Sequence, residues 1–145
     1  MRKQTPKELG EFLVESKLIT AENLGQALEI QKQKGGLLTQ ILVSLGHTNE
    51  QAIAQALTAH FGYPYLPLAG YEIDGEICKL IPENVCRQYG LIAVDRVGSL
   101  LTLAMSNPLN KQAIEDVEMI THLKAQVFVT TATDVSEAIK RSYKT

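Results

Sequence analysis

Residues 8–31 laid over residues 37–60, an offset of 29, align Leu9 with Leu38, Leu13-Val14 with Leu42-Val43, Leu24 with Ile53 and Gln26-Ala27-Leu28 with Gln55-Ala56-Leu57. Six identities in 24 positions exceed the roughly one or two that chance supplies, so the segment is an internal duplication. Apolar residues recur at helical spacing in both halves of each copy, which makes the repeating unit a helix pair that buries its face against its twin. In copy one, Thr5-Pro6-Lys7-Glu8 reads as a cap, a first-turn proline and a capping glutamate, and predicts a helix to about Ser16. Thr20 opens a second helix that Gly35-Gly36 ends. Copy two predicts a helix over 37–45 and another from Asn49 to Gly62. The copies differ in polarity: the first carries Glu8, Glu11, Glu15, Lys17, Glu22 and Glu29, the second only Glu50. Copy two is therefore either more buried or turned toward a partner.

Beyond residue 62 the pattern changes. Tyr63-Pro64-Tyr65-Leu66-Pro67-Leu68 favours extended backbone and reads as a strap between lobes. Asp74-Gly75-Glu76 and Pro82-Glu83-Asn84 start two short helices. Strands are expected over 91–94, 100–105 and 126–130, the first two joined by a hairpin loop at 95–99. Asn107-Pro108-Leu109-Asn110 leads into an amphipathic helix with Ala113, Ile114, Val117 and Ile120 inward, and Thr133 or Asp134 caps a final helix. The expected fold is α+β: a four-helix lobe of two repeated helix pairs over 1–62, then a strap and an α/β lobe (ββαβα) over 63–145.

Composition narrows the function. The 145 residues carry 14 Lys plus Arg against 16 Asp plus Glu, a net charge of −2, and 45% hydrophobic residues. No Lys/Arg run exceeds two, so a nucleic acid polymer is excluded as the expected partner. No apolar run approaches the roughly 20 residues of a membrane helix, and Glu8 and Glu11 stand where a leader would be apolar, so membrane insertion is not expected and the cytoplasm is. Cys78 and Cys86 match neither a zinc site nor a redox pair and read as reduced, partly buried thiols. No phosphate-binding Gly-x4-Gly-Lys-Ser/Thr string occurs, and Gly35-Gly36 reads as a helix stop. His47, His60 and His122 are scattered, which leaves no metal or catalytic set, and no enzyme is expected. Ser106-Asn107-Pro108 reads as turn chemistry with Asn107 capping itself, and Tyr63, Tyr65, Tyr71 and Tyr89 as a seal between the lobes.

Leu9-Gly10, Leu13-Val14, Ile19, Leu24, Leu28 and Gln31, repeated after Lys32 to Gly36, resemble the tandem 24-residue motif of the MshEN domain, the N-terminal region of type II secretion and type IV pilus ATPases. Leu80-Ile81-Pro82-Glu83, the segment from Leu100 to Leu109, and Val135 to Tyr143 resemble the same family's continuation. The resemblance implies a regulatory or docking domain, with a component of a secretion or pilus machine or its ATPase as partner. It also implies a candidate ligand, cyclic di-GMP, held through Leu9, Gly10, Leu13, Val14, Leu24, Leu28 and Gln31 of one copy and Leu38, Leu42, Val43, Gly46, Ile53, Leu57 and His60 of the other.

Several motif positions depart from that pattern. The opening Arg is Glu8 in copy one and Leu37 in copy two; the Gly after the second Leu is Thr39; the turn glycine is Lys17 where copy two keeps Gly46; and the closing Gln is His60 in copy two. Each lost guanidinium removes about 1–3 kcal/mol of phosphate pairing or base stacking, and about 1.4 kcal/mol is tenfold in affinity. Protein docking therefore ranks first, and an exposed apolar surface near Leu37, Ile41 and Leu45 would favour it. A cyclic di-GMP sensor using Gln31, with Lys7, Lys32 or Lys34 replacing the arginines, ranks second.

Overall fold

The computed structural model describes residues 6–143, with side chains from Leu9 onward. The expected Thr5 cap and the side chains of Lys7 and Glu8 lie outside the described residues. Helices α1 (Pro6–Glu15), α2 (Ala21–Lys34), α3 (Leu38–Ser44) and α4 (Glu50–Phe61) form the duplicated region. Its repeat is visible in single hydrogen bonds. After α1, Lys17 N–H donates to the Val14 carbonyl and Leu18 N–H to that of Leu13; after α3, the same two bonds run from Gly46 to Val43 and from His47 to Leu42. This closure requires a left-handed residue just past the helix, and both Lys17 (φ 65°) and Gly46 (φ 82°) supply it. Thr20 and Asn49, again 29 apart, cap α2 and α4 through their side chains.

Gly10 marks where α1 meets α2: a Cβ there would lie 2.3 Å from Leu24 Cδ1, so a side chain at this position would have to push Leu24 aside. Leu9, Leu13, Leu24, Leu38, Leu42, Ile53 and Leu57 then fill one buried cluster. A strand residue from the far end of the chain, Val129, belongs to the same cluster.

The remainder holds α5 (Gly75–Cys78), α6 (Glu83–Tyr89), β1 (Leu91–Val97), β2 (Leu100–Met105), α7 (Lys111–Thr121), β3 (Lys124–Val129) and α8 (Ala132–Ser142). β1 and β2 pair antiparallel; β2 and β3 pair parallel across α7, in sheet order β1-β2-β3. The strap extends this sheet by one step, since Leu66 N–H donates to Val129 and Val129 N–H to Pro64, both at 2.9 Å. Arg141 then holds the Leu68 carbonyl at 3.1 Å and Asp134 its N–H at 3.2 Å.

Four local expectations are corrected. β1 runs to Val97 with only Gly98-Ser99 left as the turn, because a register shift between Ala93 and Asp95 lets the charged residues 95 and 96 continue the ladder. β3 spans 124–129, starting two residues earlier than read. Thr131, not Thr133 or Asp134, caps α8 by accepting from Asp134 N–H. Ile120 is 42% exposed, because α7 ends one residue later in a left-handed cap at His122.

Tyr143, at the end of α8, donates its hydroxyl to the carbonyls of Cys78 and Ile81 and meets Cys86 Sγ at 3.3 Å. Burial is the chief cause that pushes the Cys86 thiol up to about 11. A folded thiol that holds its proton contributes stability below its unfolded pKa, near 9, and that contribution disappears as pH rises toward 11. Unfolding midpoints in urea are therefore expected to fall between pH 8 and pH 10, with a smaller fall in Cys86→Ala. Lys17→Gly is expected to raise stability by about 0.5–1 kcal/mol in the same assay, since the left-handed backbone penalises a side chain there.

Candidate functional site

Leu37 and Glu50 of the second copy face the α/β lobe, whereas Gln40, Ser44, Gly46 and Gln51, which stand where the first copy has Glu11, Glu15, Lys17 and Glu22, are exposed and uncharged. Leu37, where the motif would open with a cation, points at Gly90, the left-handed residue (φ 69°) that ends α6. A Cβ on Gly90 would stand 2.7 Å from Leu37 Cδ1 and 2.8 Å from Ser106 Oγ. Ser106 in turn donates both its N–H (3.1 Å) and its hydroxyl (3.3 Å) to the Gly90 carbonyl. The end of α6, the end of β2 and the start of α3 thus converge on one missing side chain.

Glu50 makes the other fastening. Its carboxylate accepts from Thr133 N–H at 2.7 Å and from the Thr133 hydroxyl at 2.6 Å. It lies at the N-terminus of α8, where unpaired amides and the helix dipole both favour an anion. The sole charged residue of copy two is spent on the joint.

Among the motif residues, Leu9, Leu13, Leu24, Leu38, Leu42, Ile53 and Leu57 are buried at 8% exposure or less, and Gly10 is buried too. Val14, Leu28 and Val43 are half-buried against the same cluster. Gln31 donates its amide to the Gly36 carbonyl at 2.9 Å and, with Leu9 and Leu37, lines a pocket of about 70 Å3 whose far wall is Gln88, Tyr89, Ser106 and Asn107. Gly46 is exposed in its turn. His60 lies elsewhere, its ring tilted against Phe12 with centroids 5.1 Å apart. Leu37, Ile41 and Leu45 are all half-buried, so the exposed apolar surface that would favour docking is not found at these residues. Thr39, replacing the motif glycine, is 4% exposed, and its hydroxyl is buried without a partner.

Other expected features are divided. Tyr63 seals the joint, packing on the helical cluster and reaching the Pro108 carbonyl at 3.5 Å. Tyr71 packs on the α/β cluster, and Tyr65 pairs beside β3 while 36% exposed. Tyr89 donates to Asp116 at 2.5 Å, and that bond pushes its hydroxyl up to about 12. Asn107 accepts from Leu109 N–H, making the expected turn. His47 meets Gln26 Oε1 at 2.8 Å and ties copy two's turn to α2. Among the described residues no group of His, Cys, Asp and Glu is placed to hold a metal, and no helix is long and apolar enough to cross a membrane. The Leu37–Gly90 contact and the Glu50 fastening were not foreseen; the lone acid of copy two was the available signal.

Comparisons with known proteins agree on one family. The model of the MshEN domain matches residues 61–145. The type IV pilus assembly ATPase PilB of Myxococcus xanthus is 31% identical over 93% of this chain, and that of Thermus thermophilus 34% identical over 94%. The chain spans about a quarter or less of their length, 24% and 16%. A solved structure of MshE with cdg superposes with a TM-score of 0.65 at 27% identity, covering 93% of this chain and 98% of that one. The N-terminal domain of XpsE superposes at 0.70 with 21% identity, covering 97% and 98%, a likeness of fold. Glu50→Ala is expected to lower stability by about 1 kcal/mol and to speed amide exchange at the start of α8, measured by urea unfolding and hydrogen exchange.

Proposed function

The chain belongs to the MshEN domain family, related to the N-terminal domain of secretion and pilus ATPases, and from that premise we propose a non-enzymatic regulatory and docking domain that works through protein contacts. One observation carries the reading: Leu37, at the position that would present a cation to a phosphate, is used to pack one lobe on the other. The apolar motif positions support it, because their side chains are occupied in the core. A pocket of about 70 Å3 beside Gln31 falls far below the 300–1,000 Å3 usual for ligands of that size. The partner proposed is the motor portion of a type IV pilus or type II secretion ATPase, or another component of that machine, with the cytoplasm as the compartment.

A second reading, a cyclic di-GMP sensor, is favoured by the retained Gln31 and by the likeness to MshE with cdg. Calorimetry separates the two. Titration with cyclic di-GMP, with GTP as control, is expected to give no saturable heat at ligand concentrations up to about a millimolar. Saturable binding that disappears in Gln31→Ala would make the sensor reading correct. In parallel, the chain is expected to bind saturably, in sedimentation, to a PilB-type ATPase stripped of its own N-terminal domain. Absence of binding at tens of micromolar would overturn the docking reading.

A further inference from the structure

A cavity of about 460 Å3 opens between α1, the end of α4, the strap and the loop before α7, away from the Gln31 pocket. Its walls are aromatic. Phe12 stands 4.9 Å from Phe61, Phe61 stands 4.6 Å edge-on to His60, and Tyr63 lies 6.4 Å beyond. Gly62, left-handed at φ 80°, ends α4 between Phe61 and Tyr63. Phe61 is left 43% exposed. The rim is acidic: Glu11 and Glu15 stand four residues apart on α1, both exposed, and neither has an ion-pair partner among the described residues. Among the described residues Lys111 is the one Lys or Arg in the lining.

This combination selects among occupants. An anion meets two carboxylates against one ammonium. A purely apolar side chain covers the rings but strips water from Glu11 and Glu15 with nothing in return. A guanidinium satisfies both halves, since its flat faces stack on aromatic rings while its N–H fork pairs with carboxylate. We propose that this cleft receives an arginine presented by a basic segment of a protein partner. The inference rests on the docking reading above and names the chemistry that the partner brings.

The test is an amide-shift titration of the intact chain with the blocked tripeptide Ac-Gly-Arg-Gly-amide and, as control, Ac-Gly-Glu-Gly-amide. The arginine peptide is expected to produce saturable shifts confined to Glu11, Phe12, Glu15, Phe61 and Tyr63, and the acidic peptide none. The double substitution E11Q/E15Q is expected to weaken binding by about fivefold or more, as is Phe61→Leu, which keeps apolar bulk but removes the ring. Thermal unfolding of each variant is read alongside to show that it folds. Scattered or absent shifts, equal response to the acidic peptide, or variants that bind like the parent would overturn the proposal. If that happens while the ATPase titration still shows binding, the cleft is wrong and the docking reading stands.

Discussion

The absence of a side chain at Gly90 lets the two lobes meet. A helix end, a strand end and the first residue of copy two approach one backbone carbonyl closely enough that any Cβ would collide with Leu37 and with Ser106. A side chain there would have to displace the ends of Leu37 and Ser106, and would be strained at φ 69° besides. The Glu50 carboxylate on α8 fixes the rotation about that point, since it satisfies an amide and a hydroxyl of one residue at once. These two contacts, one steric and one electrostatic, stand beside the Tyr63 bond to Pro108 and the place of Val129 in the helical cluster as links between the two regions.

Duplication gave the helical lobe two equal faces, and the fold has used them unequally. The first copy keeps a charged outer surface, with Glu11, Glu15, Glu22 and Glu29 exposed. The second keeps an exposed but uncharged outer face at Gln40, Ser44, Gln51 and Gln55, and only its first residues and Glu50 meet the α/β lobe. Leu37 and Thr39 are residues for an interior, as half-buried and buried side chains respectively.

How much of this was readable beforehand depends on the range of the forces involved. The repeat, the caps at Thr20 and Asn49, the helix stops and the ββαβα order all follow from local spacing, and these were legible. The end of β1 was read three residues early and the α8 cap two or three residues late, because adjacent polar residues compete for such positions and the strand register, with its bulge, decides. The site was less legible. Motif spacing located Leu9 and Gln31, yet whether an apolar position faces a ligand or a core depends on what folds back over it, here from some 50 residues further along. The Phe12–Phe61 cleft could not be read from periodicity, since Phe12 also serves the core and Phe61 sits at a helix end.

Val129 joins the last strand to the core of the first lobe and pairs with the strap at Pro64 and Leu66. During synthesis the four helices emerge well before it, with local contacts that form quickly. Their cluster remains short of one buried member, and the strap remains without a strand to pair with, until more than 60 further residues have left the ribosome. The helical lobe is thus finished by the lobe that follows it, and a chain stalled or cut before β3 would present an incompletely sealed apolar face to the cell's quality-control machinery.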